Sequence, residues 1–137
     1  MKQPFITLTT DFGARDHYVA SMRGAIYVIH PEARLVDLGH EVPSFDVVAG
    51  AYLLGTAFAL FPKGTIHVGV VDPGVGGSRR PLLIQTNHHV FVGPDNGLFT
   101  LAVQRDGRRA IREIADERLF RSEVSHTFHG RDLFGPV

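Results

Sequence analysis

Apolar and polar positions along this chain of 137 residues alternate between two periods. Phe5-Ile6-Thr7-Leu8 is an aromatic and β-branched run, the mark of a strand. From Tyr18 to Ile29 the period lengthens: Val19, Met22, Ile26 and Ile29 fall on one face of a helix. Asp16 stands before it, able to cap it or to favour its positive N-terminal end, and His30-Pro31 ends it. Arg34 to Leu38 reads as a second strand. Ser44 is the expected N-cap of a second helix over Phe45 to Leu60, with Val47, Ala51, Leu54 and Phe58 on one face. Val48, Leu53 and Ala57 make its other faces apolar too, and such a helix is either buried or covers an oligomer interface. After Pro62-Lys63-Gly64 comes a third strand, Thr65 to Val71. Leu82 to Thr86 and His89 to Val92, separated by Asn87-His88, predict a hairpin. A short helix over Leu98 to Val103 and a strand over Ala110 to Ile114 complete the pattern. Strands alternating with helices predict an α/β fold, a mostly parallel central sheet flanked by helices, as one domain over residues 1–137.

The densest chemistry lies between His67 and Leu83, HVGVVDPGVGGSRRPLL. An apolar run delivers Asp72 into Pro73 and a glycine-rich turn, followed by Arg79 and Arg80. In open, Rossmann-like sheets the crevice beyond the strand carboxyl ends holds the ligand, and glycines let backbone approach it closely. The alternative is a tight turn whose Asp is neutralised by a neighbouring Arg. Asp11 and Asn96 also follow apolar runs and sit beside glycine or proline, so the three polar groups are expected at one edge of a parallel sheet.

Composition narrows the choices. Acidic and basic residues number 14 each, so no net field draws nucleic acid or anionic lipid. There is no cysteine, which removes thiolate metal sites and cysteine nucleophiles. His88-His89 lacks a third ligand at helpful spacing and reads as a turn, with no metal expected. The N-terminus lacks a signal-peptide pattern, and the most apolar segment, Val47 to Phe61, is shorter than the ~20 residues a bilayer requires. A cytoplasmic location is the expectation.

Four motifs in order, TLTTDFGARDHYV, VVDPGVGGSRRPLL, FVGPDNGLFT and TFHGRDLFGPV, resemble the S-adenosyl-L-methionine hydroxide adenosyltransferases, relatives of the fluorinating and chlorinating enzymes that attack the same molecule. The resemblance implies hydrolysis of S-adenosyl-L-methionine, as substrate and not cofactor, to adenosine and L-methionine. It implies that Asp72, Arg79 and His129 handle the nucleophilic water and that Asp11 accepts hydrogen bonds from the ribose diol. Asp16 and Tyr18 match positions at the methionine end, and Phe45 matches an aromatic packed on the ribose, though it could instead be a core residue. Asn96 and Phe128 are expected in the pocket wall. Halogenating relatives carry an aromatic where Asp72 stands, which favours hydroxide over halide.

Family members continue past a motif like TFHGRDLFGPV into a smaller β-rich domain and form homotrimers. Each site lies between the N-terminal domain of one subunit and the C-terminal domain of its neighbour. This chain therefore resembles the N-terminal domain alone, with a half-open site. A non-catalytic nucleoside-binding or oligomerising remnant is the competing reading. A phosphate-binding enzyme built on PGVGGSRR lacks the usual phosphate-loop patterns.

Overall fold

The computed structural model describes residues 5–14, 16–73 and 80–114. Strand β1 (Phe5–Thr10) leads through helix α1 (Tyr18–Ile29) to β2 (Arg34–Gly39). Helix α2 (Val47–Ala57) and a 3-10 turn (Phe58–Leu60) lead to β3 (Ile66–Val70). Then follow β4 (Pro81–Thr86), β5 (Val90–Pro94), helix α3 (Thr100–Asp106) and β6 (Arg108–Glu113). All six strands join one sheet in the order β2-β1-β3-β5-β4-β6. The pairs β1–β2, β1–β3 and β3–β5 are parallel, and β4 runs antiparallel to both β5 and β6. The mostly parallel α/β sheet expected from the sequence is thus present.

The two faces of the sheet are covered separately. Leu8, Val68, Val70 and Val92 pack with Met22 and Ile26 of α1. On the opposite face, Val71, Phe91 and Ile84 pack with Leu54 and Phe58 from the α2 segment and Leu98 and Ala102 around α3. Helix α1 sits between β1 and β2, and α2 between β2 and β3, so the chain leaves β1 in one direction and returns on its other side. That reversal makes the carboxyl ends of β1 and β3 the topological switch point, where crevices open in such sheets. Among the described residues β6 is an edge strand, with Arg108, Arg109 and Arg112 exposed.

Helix α1 has the expected bounds, but His17 and not Asp16 occupies its N-cap position, and no side chain caps it. Of its expected apolar face, Met22 and Ile26 are buried while Ile29 is 60% exposed. Helix α2 starts two residues later than expected. Asp46 displaces Ser44 as N-cap, its carboxylate accepting the Ala49 amide at 3.0 Å, because Phe45 takes a left-handed φ of 61° that no helix can include. The helix buries Gly50, Leu54 and Gly55 but leaves Val48 and Tyr52 exposed. The short third helix begins after Leu98 and Phe99, which are instead buried in the core. The hairpin at Asn87-His88 forms as expected, with the Thr86 amide donating to the His89 carbonyl at 2.9 Å. No helix among the described residues is long and apolar enough to cross a membrane.

Candidate active site at the sheet switch point

Asp11 follows the last residue of β1, and Asp72 lies two residues past the end of β3. The strands pair in parallel with Thr10 opposite Val70, so both carboxylates leave the same edge of the sheet. The turn into Asp72 is buried, and Asp72 itself is only 4% exposed. Asp11 is half-buried. Burial pushes its carboxyl above the ordinary 3.8; amide hydrogen bonds, first from Phe45, pull it back, and the negative charge of Asp72 adds to the upward push. The two acids therefore sense each other across the crevice.

A strap after β2 closes over Asp11. The Phe45 amide donates to Asp11 Oδ2 at 2.7 Å, and this bond accompanies the left-handed backbone of Phe45. Such a conformation in a bulky residue costs on the order of 1–3 kcal/mol and persists where surrounding contacts impose it. Phe45 is 59% exposed, so it is an open aromatic surface on the strap rather than a core residue. On the other side of the crevice Asn96 holds the loop after β5. Its Nδ2 donates to the Val71 carbonyl at 2.8 Å and its Oδ1 accepts from the Leu98 amide at 3.1 Å. Nδ2 thus fixes the residue before Asp72, while Oδ1 braces the loop that carries Asn96.

Beneath Asp11 runs a chain of side-chain contacts. Asp37 Oδ2 pairs with Arg23, and Asp37 Oδ1 lies 2.7 Å from His40 Nε2. His40 Nδ1 lies 2.7 Å from Thr10 Oγ1, which in turn accepts the Phe12 amide at 3.2 Å. The Gly13 amide donates to the His40 carbonyl at 2.7 Å, across a turn in which Gly13 takes a φ of 71° that glycine adopts without strain. Partial burial raises the Asp37 carboxyl, but hydrogen bonds from His40 and Arg23 outweigh it and hold the group below its ordinary value.

A model of the SAM hydroxide adenosyltransferase N-terminal domain matches residues 6–137. The chain belongs to this family. It is 43% identical over 137 residues to a protein of Methanocaldococcus jannaschii named (R)-S-adenosyl-L-methionine hydrolase, with 96% of this chain and 51% of that one covered. More distantly, it is 23% identical over 155 residues to a fluorinase of Nocardia brasiliensis, covering 96% of this chain and 52% of the other. Its fold matches a crystal structure of an uncharacterized conserved protein from Thermotoga maritima with a TM-score of 0.95 at 41% identity, over 97% of this chain and 51% of that one. The chain spans about half the length of the curated relatives it matches.

In this member of the SAM hydroxide adenosyltransferase family, Asp11, Phe45, Asp72 and Asn96 come together at the switch point. Tyr18 joins them indirectly, its ring edge-on to Phe12 at 6.1 Å between centroids. Asp16 is exposed ahead of α1. Arg79, Phe128 and His129 lie outside the described residues. Thr10, Asp37 and His40 went unnoticed in the sequence; the signals available were the threonine directly before Asp11 and the D-x-x-H spacing at the end of β2. The neighbouring histidines of the hairpin are engaged elsewhere: His88 Nδ1 lies 2.7 Å from Asp106, and His89 Nδ1 lies 3.1 Å from His67.

Proposed function

We propose that this domain carries the ribose-binding and water-activating half of an S-adenosyl-L-methionine hydrolase, forming adenosine and L-methionine. The observation that carries the reading is the convergence of Asp11 and Asp72 at the carboxyl ends of β1 and β3. Asp11, with an oxygen already fixed by the Phe45 amide, accepts the two ribose hydroxyls, and the exposed Phe45 ring packs on the sugar. Asp72 holds a water in line with the 5′ carbon. As the water oxygen bonds to that carbon, the carbon–sulfur bond breaks and its electron pair returns to the sulfonium. Methionine leaves as a neutral thioether, so no acid is required at the leaving group, and the water's proton passes to Asp72. Arg79 and His129 complete the water-handling set by resemblance, with Asp16 and Tyr18 at the methionine end and Asn96 and Phe128 in the wall. S-adenosyl-L-methionine is the substrate, and the reaction calls on no further cofactor or metal.

The working assembly in this reading is a cytoplasmic homotrimer whose sites are completed across subunits. The exposed apolar side chains Val48 and Tyr52 on α2 support an assembly of that kind. Fluorination or chlorination is the second reading, favoured by the similarity to a fluorinase. Chromatography of products after incubation with S-adenosyl-L-methionine, with and without chloride, separates the two. Adenosine release that chloride does not divert is the expected result, slowed about 10²–10⁴-fold by Asp72→Asn. Halogenated nucleoside as the main product would overturn the proposal, and an Asp72→Asn protein as fast as the parent would remove the proposed base.

A further inference from the structure

We propose that the hydrogen-bond chain Asp37–His40–Thr10 is a positioning device that sets the Asp11 carboxylate for a vicinal diol, an inference that rests on the proposed ribose-binding role of Asp11. This chain is continuous from the surface to the sheet. Asp37 is paired with Arg23 and accepts, so His40 Nε2–H donates to Asp37 Oδ1. On the other side of the ring, Nδ1 lies 2.7 Å from the Thr10 hydroxyl oxygen. The Thr10 oxygen keeps a lone pair for the Phe12 amide at 3.2 Å. Both ring nitrogens are engaged, so the His40 ring is held from both sides.

The bonds bracket Asp11. Thr10 before it and Phe12 after it are tied through one hydroxyl, and Gly13 is tied to the His40 carbonyl at 2.7 Å. Thr10 is fully buried in β1, so the bracket is anchored in the sheet, while Asp37 and Arg23 brace its outer end at the surface. His40 also starts the strap that reaches Phe45, whose amide meets Asp11 Oδ2. One histidine therefore fixes both the backbone from which Asp11 projects and the strap that orients its carboxylate. A diol is recognised by two hydrogen bonds at once, and a small rotation of the carboxylate breaks one of them. The chain consequently controls diol selectivity rather than overall attachment.

Calorimetric titration of adenosine and 2′-deoxyadenosine into the parent and into Thr10→Val, Thr10→Ser, His40→Ala and Asp37→Ala proteins tests this. The parent should prefer adenosine roughly 10–150-fold, the worth of a charge-assisted hydrogen bond. Thr10→Val and His40→Ala should shrink that preference by about tenfold, chiefly through adenosine, while Thr10→Ser keeps it. A purely structural role lowers the binding-competent fraction and weakens both nucleosides alike, leaving the ratio unmoved. If Thr10→Val does not fold, His40→Ala and Asp37→Ala, at the outer end, give the same comparison. A parent that prefers adenosine alongside His40→Ala and Asp37→Ala proteins with the same preference overturns the inference. A parent without preference instead removes Asp11 from the ribose, and the inference falls with the reading beneath it.

Discussion

The buried histidine of β3 should make the domain acid-labile at a pH well above the carboxylate range. His67 is fully buried, with Thr7 Oγ1 2.6 Å from Nδ1 and His89 Nδ1 3.1 Å from Nε2. Its ring stacks on Phe91 and meets the edges of Phe58 and Phe61. Burial first, and then the nearby His89, push its pKa from the ordinary 6.5 down to about 3. The unfolded chain therefore takes up a proton below pH 6.5 that the folded chain refuses until about pH 3, so stability falls as pH falls across that window. At 1.36 kcal/mol for each unit of pKa difference, the loss between about pH 7 and pH 4 is on the order of 3 kcal/mol. That is a large share of a domain's typical ~5–15 kcal/mol. His89 is shifted the same way by burial and reinforces the trend. Asp106 acts lower: hydrogen bonds from Thr86 and His88 outweigh its burial and hold it at about 2, so the stability it adds is lost only as pH falls below the ordinary 3.8. Urea unfolding at about pH 7, 5.5 and 4, for the parent and a His67→Gln protein, isolates the histidine because glutamine keeps a donor and an acceptor but cannot ionise. The variant should start less stable and lose less, so the two curves converge toward low pH. Parallel curves would refute the reasoning.

Three further outcomes follow from local geometry. A Cβ on Gly55 would lie 2.6 Å from Leu101, so Gly55→Ala should push α2 from α3 and lower stability by about 1–3 kcal/mol in thermal melts; an unchanged melt would mean the helices separate freely. Phe45→Gly removes a left-handed backbone cost from a largely exposed residue, so it should raise stability by up to about 1 kcal/mol while weakening nucleoside binding; a loss of stability would show that the ring packs more than its exposure indicates. Asn96→Ala leaves the Val71 carbonyl and the Leu98 amide without that partner, and should cost about 1–3 kcal/mol in urea titrations and slow adenosine release together.

The bounds of α1 were legible because its apolar spacing runs unbroken to a His-Pro stop. The start of α2 was not. Ser44 and Asp46 are both good caps, and the choice was made by a tertiary bond from the Phe45 amide to Asp11, 34 residues away. Asp11 and Asp72 could be read as one site because strand ends are local features and parallel order places them on one edge. The Thr10–His40 contact spans 30 residues and uses side chains with ordinary roles elsewhere, so nothing periodic announces it. The ties from Asn96 Nδ2 to the Val71 carbonyl beside Asp72, and from the Leu98 amide to its Oδ1, are set by loop geometry and have no periodic signal in the sequence.

The order β2-β1-β3 explains why two acids sit where a single one would be easier to accommodate. Crossovers on opposite faces leave the ends of β1 and β3 without a helix between them, so whatever follows each strand faces a shared crevice. Both strands deliver an aspartate there, and Asp11 responds with a raised pKa because burial and the neighbouring charge both disfavour its ionised form. A ligand that brings hydroxyl donors to one carboxylate and positive charge near the other relieves both penalties. A ribose diol joined to a sulfonium has those features in the same molecule. On the proposed reading, binding needs Asp11 ionised, so affinity is full above its raised pKa and is lost as pH falls through it. The repulsion that makes the empty crevice less favourable is then the source of its preference for a cationic nucleoside over adenosine itself.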